Sequence, residues 1–185
     1  CGRWQDVLAD VASVGATIVD PPYGARTHAG VNTSGSRNDG WTDNPIGYAA
    51  WSPDDVSAFV ASWAPRTRGW FCAMTSHDLV PVYEQALADA GRYVFAPLPC
   101  VMPGMSVRLV GDGPSSWCVW LVVARPRTPP FSRWGTLPGA YVTKCVDHGR
   151  LDIVGGKPLA LMRAIIRDYT RPGDTVCDPC AGGGT

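Results

Sequence analysis

Apolar positions along this chain switch between two spacings, and the switches mark out its elements. Trp4, Val7, Leu8 and Val11 recur at helical intervals and predict a short amphipathic helix. Ala16-Thr17-Ile18-Val19 is a short β-rich run, so a buried strand is expected over 16–20. Ser52-Pro53-Asp54-Asp55 is a helix start, with a capping hydroxyl, a proline at the first helical position and acids in the first turn. Val56, Phe59, Val60 and Trp63 then fall at i, i+3, i+4 and i+7, a stripe that faces a core. A second buried strand is predicted over Gly69–Met74. A helix follows over about 79–90, with Leu79, Val82, Tyr83 and Leu87 inward and Gly91 as its stop. Arg92–Leu98 reads as one further strand. Trp117–Ala124 is a continuous apolar run, long enough for a central strand, and pattern assigns Trp70, Trp117 and Trp120 to the core. A last helix over about 158–169 is expected to bury Met162, Ile165, Ile166 and Tyr169. The turn Arg171-Pro172-Gly173-Asp174 then leads into a strand at Thr175-Val176-Cys177.

Three stretches interrupt this order. Residues 24–50 are rich in Gly, Ser, Thr and Asn and show no packed element; Arg26, His28 and Arg37 lie there. Pro103–Ser116 is a Gly/Pro/Ser-rich connection, and 126–156, with Trp134, is irregular. Strands alternating with helices predict one three-layer α/β domain over 1–185 with a largely parallel sheet. The strands near 93–98 and 117–124 have no helix between them, which requires an antiparallel pair.

Composition narrows the class. At 185 residues, 45% hydrophobic and 17% charged, the chain supports one globular core. No apolar run approaches the roughly 20 residues of a membrane span, and no membrane partner is expected. Seven cysteines are an odd number, scattered mostly through apolar runs, which points to reduced, buried thiols and a cytoplasmic protein. Cys177 and Cys180 form the one close pair, with no second Cys/His pair at ligand spacing, so no metal is expected. A formal net charge of zero weakens general attraction to phosphate. Arg125, Arg127, Arg133, Lys144 and Arg150 stand against Asp147 alone, a basic stretch that serves equally as a solvated surface or as a DNA-facing one. The chain begins at Cys1 and stops inside a glycine turn at Thr185, so both ends read as cut.

Candidate chemistry sits at two strand ends. Asp20-Pro21-Pro22-Tyr23 directly follows the first strand: two prolines fix the backbone and remove two donors, leaving acceptors beside a carboxylate and a phenol ring. Such a site suits an exocyclic amine on a flat heterocycle. Asp178-Pro179-Cys180-Ala181-Gly182-Gly183-Gly184-Thr185 ends the last strand in a glycine-rich turn that lets a ligand approach the backbone. Together the two turns resemble the DNA amino-methyltransferases, which use S-adenosylmethionine (AdoMet) to methylate N6 of adenine or N4 of cytosine. Gly156-Lys157-Pro158 resembles that family's Lys-Pro motif, which closes over the methionine part of the cofactor. The order, catalytic motif first and cofactor motif last, is that of the circularly permuted β group.

The resemblance implies a Rossmann-like AdoMet methyltransferase sheet, entered at its fourth strand and apparently truncated after the cofactor turn. It implies Asp20, Pro21, Pro22 and Tyr23 as catalytic residues. Asp20, Lys157, Pro158, Asp178, Pro179, Cys180, Gly182, Gly184 and Thr185 become the cofactor-binding residues, with Cys180 in place of the family's usual phenylalanine. The partner it implies is DNA with a flipped adenine, and a homodimer is allowed. Asp20, rather than serine, at the first position of the motif favours adenine. Asp20 and the Pro21 carbonyl would accept the amine N–H groups and localise its lone pair. Tyr23 would stack on the flipped base through its ring face, the hydroxyl mattering little. The acid that holds the cofactor ribose would lie beyond Thr185. Alternatives are an N4-cytosine enzyme, an RNA or protein-amide methyltransferase, and a catalytically inactive DNA-binding relative. His77 beside Asp78 reads as a helix cap or surface residue. His28 and His148 fall in polar loops within reach of phosphate.

Overall fold

Strands covered on both faces need apolar side chains at successive positions, and Ala16–Val19 (β1) and Phe71–Thr75 (β2) are buried throughout. The computed structural model describes residues 2–32, 47–103, 114, 116–127, 134–143 and 156–182. Arg37, Arg133, Lys144, Asp147, His148, Arg150, Gly184 and Thr185 lie outside the described residues, as does most of the 103–116 connection. The remaining elements are helices Trp4–Val7 (α1), Ala25–Asn32 (α2), Pro53–Trp63 (α3), Val80–Asp89 (α4) and Leu159–Tyr169 (α5). The other strands are Arg92–Val94 (β3), Leu98–Val101 (β4), Cys118–Pro126 (β5), Tyr141–Val142 (β6) and Val176–Cys177 (β7).

The sheet runs β6-β4-β5-β2-β1-β7, with β3 also pairing with β5. β1 is parallel to both β2 and β7, whereas β5 is antiparallel to β2, β3 and β4. The β2-β1-β7 half, which carries the two motif strands, is thus parallel, β5 makes the expected antiparallel pairing with β3 and β4, and β6 lies parallel to β4, so the sheet is mixed rather than largely parallel. One face of the sheet packs on α3 and α4 through Val56, Phe59, Trp63, Tyr83 and Leu87. The opposite face packs on α5 through Leu161, Met162, Ile165 and Tyr169. Three layers result. The start of α3 is the predicted one: Ser52 Oγ accepts from the Asp55 N–H, and Asp55 Oδ2 accepts from the Ser52 N–H at 2.9 Å.

Several expectations need correction. Residues 25–32 form α2 within the stretch read as lacking a packed element. The predicted strand 92–98 is two strands. Val94 pairs with Ala124 and Leu98 with Leu121, so four steps on one side meet three on the other, an extra residue of the kind that makes a β-bulge. Pro97 in that break has no N–H for the ladder. Trp117 is 48% exposed rather than in the core, and Trp120 is half-buried. Ile166 is 39% exposed, its place in the buried stripe of α5 taken by Leu161. Asp168 also faces inward on α5, accepting from the Tyr141 hydroxyl at 2.9 Å.

β1 and β2 begin in close contact. The Gly69 N–H donates to the Gly15 carbonyl at 2.8 Å, and a Cβ at Gly69 would lie 2.5 Å from that oxygen. Backbone cannot give way there as a side chain can. Gly69→Ala is expected to lower folding stability by about 2 kcal/mol, read as an earlier urea midpoint with an unchanged slope.

Candidate functional site

β7, late in the chain, lies beside β1, with Ala16 opposite Val176 and Thr17 opposite Cys177. The two strands are parallel, so the turns that follow them, at Asp20 and at Asp178, leave the sheet at the same end. That is the end where open α/β sheets bind ligands. A tight turn aims β7: the Asp174 N–H donates to the Arg171 carbonyl at 2.9 Å, and Gly173, at φ 94°, supplies the left-handed residue. Two prolines end β1. The chain beyond is held on both sides, because the Trp51 N–H donates to the Tyr23 carbonyl at 3.0 Å and the Gly24 N–H to Ser76 Oγ at 3.1 Å.

Asp20 is the hub. Its Oδ2 accepts from Lys157 Nζ at 2.6 Å, and its Oδ1 accepts from the Tyr23 hydroxyl at 2.9 Å. The pair is mostly shielded, the Lys157 side chain being 10% exposed and that of Asp20 22%. Lys157 Nζ also lies 4.9 Å from the centre of the Tyr23 ring, a cation over an aromatic face. Burial first, then the charge of Asp20 and its hydrogen bond, hold the Tyr23 phenol well above its ordinary range. Tyr23 is therefore a neutral donor at physiological pH.

The second turn is folded by its own acid, Asp178 Oδ1 accepting from the Cys180 N–H at 2.9 Å. Burial pushes the Asp178 carboxyl up to about 6, the Cys180 N–H opposing and the charge of Asp20 reinforcing the rise. The Cys180 thiol is pushed up to about 12, chiefly by burial and then by Asp178, so it is a neutral packing group rather than a nucleophile.

Asp20, Pro22, Lys157, Asp178, Pro179, Cys180 and Gly182 line one cavity of about 800 Å³. Pro21 and Pro158 are buried and, like Tyr23, are not among its described lining residues. Sequence reasoning missed part of this wall. Gly2–Trp4, at the start of the chain, and Tyr48 and Trp51, before α3, also face the cavity. Two aromatics just ahead of a strong helix cap, in an otherwise polar stretch, were the available signal. His28 on α2 meets the Tyr48 ring edge-on at 5.4 Å, and His77 is exposed without capping α4. Arg125 lies past Ala124, which pairs with Phe71 at the far end of β2, so it sits away from Asp20. There it stacks over Tyr93 at 4.8 Å.

No protein-family profile matches the chain, and no curated protein matches it either. Solved structures do. The M1.HpyAVI–SAM complex matches with a TM-score of 0.63 at 18% identity, over 96% of this chain and 76% of that one. A second M1.HpyAVI structure matches at 0.56 and 17%, over 95% and 74%. TTHA0409 of Thermus thermophilus, named as a candidate DNA modification methylase, matches at 0.54 and 16%, over 98% and 78%. The chain shares the Rossmann-like α/β fold of these solved structures.

Proposed function

We propose that the protein is an AdoMet-dependent DNA methyltransferase of the permuted type that transfers a methyl group to N6 of adenine. One observation carries the reading: the Asp20–Tyr23 turn and the Asp178–Gly182 turn, far apart in sequence, leave neighbouring strands at one end of the sheet. Residues of both then line a single cavity. Its volume is within the ordinary range for a cofactor site. The lining includes three acids, Asp20, Asp55 and Asp178, against two bases, Arg3 and Lys157. That excess of acid suits a ligand carrying a sulfonium and an ammonium. The strand order supports permutation, because the glycine-turn strand comes last in the chain yet pairs with the first.

The cofactor, when bound, supplies a methyl group on a cationic sulfur. The chain supplies the rest. Asp20 and the Pro21 carbonyl accept the N–H groups of the amine, drawing its lone pair out of the ring and toward the methyl group. These acceptors are fixed in advance where positive charge develops, so little reorganisation accompanies the reaction. Tyr23 offers a ring for the extruded base, offsetting a few kcal/mol of lost stacking. Asp178, Pro179, Cys180 and Gly182 form the cofactor side, with Lys157, just ahead of α5, in the lining of the same cavity.

Incubating the protein with tritiated AdoMet and unmethylated phage DNA, then digesting to nucleosides, tests the reading. Label should elute as N6-methyldeoxyadenosine. Label in N4-methyldeoxycytidine would keep the enzyme class and overturn the choice of base, and unlabelled DNA would overturn both.

Asp178 gives this reading a pH signature. Its folded-state pKa, about 6, is above the ordinary 3.8, so the folded protein holds a proton there that the unfolded chain has already lost between those values. Cofactor-free stability is therefore expected to fall as pH rises through that window. A cationic ligand prefers the ionised acid, so AdoMet affinity should change the opposite way, weakening as pH drops below about 6. Calorimetric titrations between pH 5 and 8, as round working limits, check the sign.

A further inference from the structure

We propose that Lys157 is a gate on the acceptor site: its ammonium occupies the position that the target amine takes, and a base reaches Asp20 and Tyr23 only after Lys157 has left them. The inference rests on the methyl-transfer reading above and adds an order of events to it.

Lys157 Nζ is 2.6 Å from Asp20 Oδ2 and 4.9 Å from the centre of the Tyr23 ring, while the Tyr23 hydroxyl takes Oδ1. A nitrogen donor between that carboxylate and that ring already has the two partners that the reaction gives to the base. The carboxylate keeps further lone pairs, but the ring face under Lys157 is covered by it. Among the described lining residues the cavity includes Lys157 and omits Tyr23, whose ring packs against the core. Stacking on Tyr23 therefore requires Lys157 to move aside.

The residue type fits a part that moves. The chain has 16 basic residues, of which Lys144 and Lys157 are the lysines and the rest arginine. An arginine fork on Asp20 would grip both oxygens and resist removal. Lysine is a compact charge on a flexible stem, makes a one-point contact and can swing between partners. A buried lysine leaves a carboxylate readily only for another anion. In a cavity lined by three acids and two bases, a ligand with cationic groups and a carboxylate provides that exchange. Lys157 then trades Asp20 for the amino-acid carboxylate of the cofactor, and the acceptor site opens. Cofactor binding precedes base capture.

With only two lysines, protein grown on [ε-13C]lysine gives two side-chain signals, and a Lys144→Arg variant assigns them. The probe is S-adenosylhomocysteine, which has the amino-acid end but no transferable methyl. Without it, the Lys157 signal should be displaced by the Tyr23 ring current. At saturation followed by calorimetry, that displacement should be lost. Binding heat with an unmoved Lys157 signal overturns the gate alone, whereas absence of binding heat overturns the cofactor reading and the gate with it. A second measurement uses the unmethylated phage DNA of the transfer assay. Lys157→Met should raise the affinity of cofactor-free protein for that DNA by about tenfold, matching wild type with the probe bound. An unchanged or weaker affinity overturns the gate.

Discussion

Asp20→Ala is expected to lower kcat for methyl transfer by about a thousandfold, while AdoMet affinity changes by less than about fivefold. On the proposed mechanism the carboxylate meets the amine, so its loss falls on the chemical step. A structural cost comes with it, since Lys157 pairs with Asp20 at 2.6 Å and its side chain is only 10% exposed. Removing one partner of a shielded pair leaves the other bare, commonly at about 3–5 kcal/mol when burial is complete and at less here. Asp20→Asn separates the two effects. The amide keeps the shape and one acceptor oxygen, so stability should recover further than turnover does. Single-turnover transfer of tritium, with thermal unfolding beside it, reads both. Near-normal turnover in a folded Asp20→Ala protein would remove Asp20 from the mechanism.

The layers were legible because they rest on local periodicity. Val56, Phe59, Val60 and Trp63 face the core as their spacing predicts, and the apolar runs at 16–19 and 71–75 are buried on both faces. The two motif turns were legible for a related reason: an acid with prolines or glycines after an apolar run marks a strand end. Elements without a local signature were missed. α2, Ala-Arg-Thr-His-Ala-Gly-Val-Asn, has no apolar stripe to announce a helix. The break between β3 and β4 is hidden because Phe95, Ala96 and Pro97 continue the apolar run, and only pairing with β5 exposes the extra residue. Lys157 and Asp20 are 137 positions apart. Each was singled out by its own motif, but their ion pair follows from the sheet setting β7 and α5 beside β1, which no local pattern encodes. Trp4 illustrates a mixed case. Its helical spacing predicted packing, and it does meet Phe59 at 5.7 Å, yet it also lines the cavity.

Tyr23 shows how the geometry changes an expectation. From sequence alone the ring face was the working part, and Tyr23→Phe was expected to cost little. The hydroxyl proves to be engaged, donating to Asp20 Oδ1 at 2.9 Å in a half-buried setting. A hydrogen bond to a charged group contributes about 1.5–3 kcal/mol, part of which would be spent here on fixing the carboxylate that the proposed mechanism gives to the amine. Tyr23→Phe is therefore expected to lower kcat by about tenfold. Tyr23→Ala, which loses the ring as well, should lose about a thousandfold in kcat/KM. Because burial and the neighbouring carboxylate hold the phenol protonated, the ratio of wild type to Tyr23→Phe should stay flat from neutral pH into the alkaline range. Two results would count against this division of labour. Wild-type turnover in Tyr23→Phe would mean that the bond to Asp20 is idle during reaction. Equal losses in the Phe and Ala variants would mean that the hydroxyl carries the whole effect and that no base stacks on the ring.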